Sequence, residues 1–308
     1  SRIKEWDYYY IGNDKYGVAL TIADNSYMSM VSATFIDLVN KAEVTKSEIK
    51  LFSRGNLALP FTSKEGDSIY LSKKFSMEFV NHGKMRKLVC SVRNFDGKKD
   101  FYCNITLEQT MKKTMVIATP FKKMRHFYYN QKINCMKAQG HFVIGTKDYT
   151  VDNNRAVLDW GRGIWTYKNT WYWSSMSSVT EDGKDIGWNL GYGFGNNTKA
   201  TENMLFFDNE AYKLGQVEFK IPHNKNKYYY MKEWELTSED GMIQLAFKPI
   251  YNRHSSTNAL IIKSNQNQVF GVFNGTIKAQ YMKNGEVKEI LVEVKNMTGF
   301  AERVYNKW

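Results

Sequence analysis

The feature that most constrains this chain is a series of two-residue turn signals set between β-rich runs. Asp96-Gly97, Asp182-Gly183, Asp240-Gly241 and Asn284-Gly285 each join such runs. Asn or Asp followed by Gly takes the positive φ angles of a tight hairpin with little strain. Asn81-His82-Gly83 reads as a slightly longer version. Around these turns the apolar residues alternate with period two, and helical periodicity is hard to find. Expected strands are Phe75–Val80 with Met85–Val92, Phe101–Leu107, Phe127–Cys135, Trp171–Met176 with Ile186–Phe194, Asn203–Phe207, Tyr228–Leu236 with Met242–Phe247, and Val269–Ala279 with Val287–Val294. Val31–Val44 is open between helix and strand. A meander without interleaved helices predicts an all-β protein of two antiparallel barrels or strongly bent sheets.

At 308 residues a chain usually divides its core rather than enlarging it. Two domains are expected, 1–157 and 158–308. Hydrophobic residues at 43% and charged residues at 24% exclude a disordered or low-complexity chain. The three cysteines, Cys90, Cys103 and Cys135, are too sparse for a disulfide framework and match no zinc spacing, so they read as free thiols. No apolar run reaches the length of a membrane-spanning helix, and Ser1-Arg2-Ile3-Lys4-Glu5-Trp6-Asp7 has no signal-peptide core. The expectation is a cytoplasmic protein that is not integral to a membrane.

The net charge of +12 is concentrated early. Between Lys73 and Lys132 there are 14 basic and 4 acidic side chains, with paired bases at Lys73-Lys74, Arg86-Lys87, Lys98-Lys99, Lys112-Lys113 and Lys122-Lys123. Such a surface can steer a weak contact with an anionic partner. Solvated charges on turns and strand ends account for the same pattern and protect sheet edges. No nucleic-acid motif accompanies them, so no specific nucleic-acid partner is expected.

Two stretches suggest a site. In Gly187-Trp188-Asn189-Leu190-Gly191-Tyr192-Gly193-Phe194-Gly195, alternation places Trp188, Leu190, Tyr192 and Phe194 on one face and the glycines with Asn189 on the other. Something must fill the bare face: neighbouring rings, a coiled barrel corner, or a ligand against the backbone. Just upstream, Trp160, Trp165, Trp171 and Trp173 crowd into fourteen residues, and Trp171 and Trp173 share a strand face that could wall a cavity. Asp159 and Arg162 lie beside this wall, either as an ion pair or as anchors for a ligand's polar end. Glu202 and Asn203 open the strand after the glycine-rich one and flank the same volume. A carboxyl among tryptophans titrates high and can act as an acid near neutrality, which makes Asp159 and Glu202 the candidate proton donors. Upstream, His126, Tyr128, Asn130, Lys132 and Asn134 share one strand face, to be read as solvent-facing or as the lining of a polar lumen.

Hydrolase elbows, zincin motifs, phosphate loops and Cys-x-x-Cys pairs are all missing, and the five histidines show no metal-ligand spacing. No metal or other cofactor is expected.

The strings His126-Phe127-Tyr128-Tyr129-Asn130-Gln131-Lys132-Ile133-Asn134-Cys135-Met136, Leu158-Asp159-Trp160-Gly161-Arg162-Gly163, Asn189-Leu190-Gly191-Tyr192-Gly193-Phe194-Gly195, Thr201-Glu202-Asn203 and Gly299-Phe300-Ala301-Glu302-Arg303-Val304 resemble the bacterial domain-of-unknown-function family 2804, over essentially the whole chain. More distantly, the order Gly140, Gly145, Tyr149, Leu158-Asp159-Trp160, Trp171-Tyr172-Trp173, Asp182-Gly183 is similar to the two-domain lipocalin-like group of carotenoid 1,2-hydratase, AttH-type proteins and fungal Diels–Alderases. That resemblance implies lipocalin-like barrels that hold bulky apolar molecules, some members protonating or cyclising them without metal or nucleotide. The group's Trp-x-Asp-His-x-Trp-Gly pattern is not reproduced, because Trp160 follows Asp159 directly.

Three functions stand at this point. The first is binding of a hydrophobic or amphipathic small molecule, of lipid or isoprenoid class, in a barrel or interdomain cavity. Trp160, Trp165, Trp171 and Trp173 would give apolar contact, and Arg162, Asn189, Glu202 and Asn203 polar anchorage. The second is a cofactor-independent hydratase, isomerase or cyclase using Asp159 or Glu202. The third is a structural protein that associates with surfaces through its basic half.

Overall fold

The computed structural model describes residues 3–225, 227–259 and 262–307. Among these there is no helix, and so none long and apolar enough to cross a membrane. The first sheet contains β1 (Lys4–Gly12), β2 (Tyr16–Asp24), β3 (Met28–Asp37), β4 (Ala42–Leu51), β5 (Ser68–Leu71), β6 (Phe75–His82), β7 (Met85–Asp96), β8 (Lys99–Glu108), β9 (Met115–Pro120), β10 (Phe127–Ile144), β11 (Lys147–Thr150) and β12 (Arg155–Ile164). Its order is β4-β3-β2-β1-β12-β10-β8-β7-β6-β5, with β9 and β11 on β10. The second sheet contains β13 (Lys168–Val179), β14 (Asp185–Tyr192), β15 (Met204–Phe207), β16 (Glu210–Lys213), β17 (Glu218–Lys220), β20 (Trp234–Thr237), β21 (Ile243–Ala259), β22 (Ile262–Lys283) and β23 (Glu286–Lys307). It runs β16-β15-β14-β13-β23-β22-β21-β20-β17, and the short β18 (His223–Asn224) and β19 (Lys227–Tyr228) pair only with each other. Both large sheets are antiparallel and strongly curled, as two lipocalin-like half-barrels.

The chain forms two compact units. One holds residues 3–114 and 129–164, the other 115–128 and 165–307. β12 runs through residue 158 and belongs whole to the first unit.

The turn signals act as their chemistry predicts. Gly97, Gly183, Gly241 and Gly285 all have positive φ, and Asn284 joins its glycine there at 54°. The open segment Val31–Val44 is a hairpin of β3 and β4. Its turn is closed by Asn40 N–H donating to Asp37 Oδ1 at 2.9 Å, with Lys41 at φ 53°. The expected strand Tyr228–Leu236 is corrected. Tyr228 ends β19, and Tyr229 N–H donates to Pro222 O at 2.8 Å and Lys232 N–H to Tyr229 O at 3.0 Å before β20 begins. Three successive tyrosines read as strand because their rings favour pleated surfaces, but here tertiary contacts turn the backbone.

Each unit has its own core. In the second, Trp188, Trp234, Phe247 and Phe273 are fully buried and interlock, Trp188 edge-on to Phe273 at 5.0 Å and Phe247 stacked on Phe273 at 4.4 Å. These rings pack against one another at the centre of the second unit's core. Trp188→Ala will therefore cost about 3–5 kcal/mol, since the indole's burial and its ring contacts are lost together. Urea denaturation of the variant against the parent protein measures it.

The basic pairs divide in their placement. Lys73-Lys74, Lys98-Lys99 and Lys122-Lys123 are exposed at turns or strand ends, but Arg86 is only 2% exposed and Lys132 is buried. These two charges belong to the interior of the first unit.

Candidate functional site

Period-two alternation places Glu5, Asp7, Tyr9 and Ile11 on one face of β1. In register, Asp7 lies opposite Trp160 and Tyr9 opposite Leu158 of β12. Tyr9, Ile11, Leu158 and Trp160 belong to the core of this unit, so Asp7 is an acid on the apolar face of its strand. Ser68 Oγ donates to Asp7 Oδ2 at 2.8 Å, while Oδ1 has no hydrogen-bond partner. Burial raises the Asp7 carboxyl from 3.8 to about 6, against the opposing pull of Ser68, the Arg86 guanidinium and the Tyr9 phenol, with Asp159 adding a small upward push. Burial and the Asp7 charge also push the Tyr9 phenol well above its ordinary value.

Asp7 lines a small recess with Tyr9, Phe79, Leu158, Trp160 and the segment Pro60–Gly66. Its volume is about 10 Å³, room for one water molecule. The covering segment is pinned at Ser63, whose carbonyl accepts from Arg86 Nη2 at 2.6 Å and Asn81 Nδ2 at 2.7 Å, and whose hydroxyl donates to Gln131. The chain leading into this segment is held by Asp24, which accepts from Ser53 Oγ at 2.7 Å. Arg162 shares the Trp160 face. It pairs with Glu5 at 2.8 Å and lays its guanidinium 4.5 Å from the centre of the exposed Phe61 ring. Burial raises the Glu5 carboxyl, opposed by Arg162 and assisted by Asp24.

Asp159 is one residue from Trp160 and so faces the opposite way. Its Oδ2 lies 2.7 Å from Lys132 Nζ, and the two side chains are 12% and 3% exposed. Asn130, Lys132 and Asn134 are all buried, so this face of β10 is not a solvated one. Asp159 and Arg162 do not pair: each has found another partner, because they stand three apart on a strand and point to opposite faces.

The other expected site residues lie in the second unit. Trp173 Nε1 donates to Asn189 Oδ1 at 2.7 Å, and Asn189 Nδ2 donates to the Glu202 carbonyl at 2.9 Å and to its Oε2 at 3.2 Å. Asn203 Oδ1 accepts from Gly191 N–H at 2.7 Å. Trp173, Asn189, Glu202 and Asn203 therefore do form one cluster, but the glycine face it borders is filled. A β-carbon on Gly191 would stand 2.7 Å from Glu202 Oε1, and one on Gly193 would stand 2.7 Å from Thr170 O. Gly193 has φ 90°, which ends the alternation and carries Phe194 to the opposite side from Tyr192. There Phe194 meets Trp165 at 5.4 Å, Trp171 at 5.2 Å, Tyr128 at 4.8 Å and Phe121 at 5.2 Å. Trp171 Nε1 donates to Glu302 Oε1 at 2.9 Å. The expected chamber beside the glycines is replaced by this packing of rings and a carboxyl.

Sequence reasoning missed Asp7, Tyr9, Ser68 and Arg86. The signal was present in Asp7-Tyr8-Tyr9-Tyr10-Ile11, where strict alternation puts an acid in line with Tyr9 and Ile11. Among the described residues, no group of three or more His, Cys, Asp or Glu is placed to hold a metal ion.

Fold and site together define a lipocalin-like protein of two β units, with a buried acid at a recess of the first. The chain belongs to the family described as a domain of unknown function (DUF2804), whose model matches residues 1–308. No curated protein matches its sequence. Among solved structures it is similar to an AttH-type protein from Nitrosomonas europaea, at 12% identity and TM-score 0.58, covering 98% of this chain and 92% of that one. It is also similar to kievitone hydratase from Nectria haematococca, at 12% identity and TM-score 0.52, covering 99% and 88%. A third likeness is to CghA, at 6% identity and TM-score 0.50, covering 99% and 87%. At these identities the likeness establishes the fold.

Proposed function

We propose that the chain binds an apolar or amphipathic small molecule, of lipid or isoprenoid class, against Trp160 in the first unit and exchanges a proton with it through Asp7. The observation that carries this reading is a buried carboxyl held near pH 6 at a recess walled by Trp160, Leu158 and Phe79. An acid whose pKa lies near the working pH is both available and driven to transfer its proton. A recess with room for one water beside such an acid suits hydration or dehydration of a carbon–carbon double bond. The Asp7 O–H gives its proton to one alkene carbon, the water adds to the cation at the other, and the Asp7 carboxylate takes a proton back from the added water. Ser68 and Arg86 steady the carboxylate while it is charged. The substrate's body would lie across Trp160 once the Pro60–Gly66 segment lifts. That one of the similar structures is a hydratase agrees with this class of reaction, and no step needs a cofactor.

Incubation with farnesol in deuterated water tests it. The parent protein will bind the alcohol and introduce solvent deuterium into it, read by mass spectrometry. Asp7→Asn will retain binding and lose at least about 100-fold in deuterium incorporation, within the usual contribution of a general acid. Binding without incorporation by the parent protein would leave a carrier of apolar molecules, and neither binding nor incorporation would overturn the whole reading.

A further inference from the structure

The ending Gly299–Val304 plays no part in the site around Asp7, yet it holds an arginine whose surroundings are unusual. Arg303 on β23 lies in register with Tyr172 of β13 and Asn267 of β22. Its Nε donates to Tyr172 Oη at 3.1 Å, and its guanidinium carbon stands 4.2 Å from the Tyr228 ring centre and 5.8 Å from that of Tyr172. Tyr172 stacks on Tyr192 at 4.6 Å with the planes 4° apart, and both present their faces to the edge of Phe219 or the reverse, at 6.1 and 5.6 Å. Tyr230 stacks on Tyr228 at 5.8 Å, placed there by the turn that interrupts the expected strand. Arg303 and the four tyrosines are half-buried and thus reachable from solvent.

Among the described residues, no carboxylate lies within ion-pair distance of Arg303. In the first unit Arg162 has Glu5 and Lys132 has Asp159 as carboxylate partners. Tyrosine faces and hydroxyls attract a guanidinium but do not neutralise it. A charge removed from water and met only by neutral groups gains most from an anion that offers two oxygens to its planar fork. The neighbouring loop adds the same sign: His223, Lys225, Lys227 and Lys232 stand in it against Glu233, and Lys227 and Lys232 rest over Tyr229. Flat rings, already paired in stacks, would accept a further planar group.

We propose that Arg303 and its tyrosines form a binding site in the second unit for a planar aryl carboxylate, the carboxylate engaging the guanidinium and the ring lying against Tyr228 or Tyr230. This site is independent of the reaction assigned to Asp7. A ring-bearing acid fits it better than a bare anion, which would leave the aromatic faces unused, and better than a neutral arene, which would leave the charge unmet.

Titration calorimetry of the full chain with 4-hydroxybenzoate tests it, with 4-hydroxybenzamide, cyclohexanecarboxylate and inorganic phosphate as comparisons. The hydroxybenzoate will bind, and each comparison will bind at least about tenfold more weakly, as loss of one charge-assisted contact or one stacking face predicts. Arg303→Gln will weaken hydroxybenzoate by at least about tenfold, and Arg303→Lys will restore part of the loss. Should Arg303→Gln fail to fold, Tyr228→Leu keeps the test open, with an expected loss of about fivefold. No binding of hydroxybenzoate at millimolar concentration, or equal binding by the folded variants, would overturn the site. Equal binding of phosphate or cyclohexanecarboxylate would overturn the aryl class.

Discussion

Lys132→Met will destabilise the first unit by about 3–5 kcal/mol, and the double variant Lys132→Met with Asp159→Leu will recover most of that loss. The pair is 2.7 Å apart, with side chains 3% and 12% exposed. Removing one partner leaves the other's charge in a medium that solvates it poorly, and that residual cost is what the single variant measures. Removing both exchanges two desolvated ions for apolar volume, which is close to neutral when the replacements fill the space. The Asp159→Leu single variant should be as costly as Lys132→Met. Urea titrations of all four proteins complete the cycle, and losses that simply add would show that the pair is not coupled.

Asp7→Asn will remove a pH dependence worth about 3 kcal/mol of stability. The folded carboxyl titrates near 6 and the unfolded one at 3.8, so between these values the folded chain holds a proton that the unfolded chain releases. Stability from this group is complete below about pH 4, declines as pH rises, and is gone above about pH 6 to 7. The groups facing it are Tyr9, Arg86, Ser68 and, more remotely, Asp159. All are kept in the variant, so their own titrations largely cancel in the difference between the two proteins. That difference, measured by urea unfolding from pH 4 to 8, will fall across the window in the parent's disfavour and then level off. A flat difference would mean that Asp7 is ionised at ordinary acidity, and its use as a proton donor would be withdrawn. Ser68 and then Arg86 oppose the rise, so neutralising Arg86 would move the Asp7 titration further upward.

The all-β, two-barrel class was readable because it rests on local chemistry. Tight turns need positive φ, and Asp96-Gly97 or Asn284-Gly285 can mean little else. Long-range matters were less accessible. Alternation in Arg86-Lys87-Leu88-Val89-Cys90 puts Arg86 on the apolar face of its strand, but which groups it meets there, Ser63 and Asp7, depends on strands far apart in the chain. Trp173, Asn189, Glu202 and Asn203 do meet. The expected hollow did not follow, because a glycine face says only that something approaches the backbone. Here the Glu202 carboxyl and Thr170 carbonyl do so. Asp159 and Arg162 are expected together beside the tryptophans, but residues three apart on a strand point to opposite faces, and each has a different partner.

The hairpin of residues 115–128 has a consequence for anyone who would divide the molecule. It is counted with the second unit, yet it is drawn from the middle of the chain that builds the first. Phe121 and Tyr128 meet Phe194, Thr119 abuts Gly195, and Asn196 N–H donates to Pro120 O at 2.8 Å. A single cut after Ile164 would strand this ribbon on a fragment that lacks Phe194, and would leave the remainder without a wall of its aromatic cluster. The polypeptide is threaded like a stitch rather than strung like beads, so its halves are inseparable by one stroke of a protease or one choice of cloning boundary.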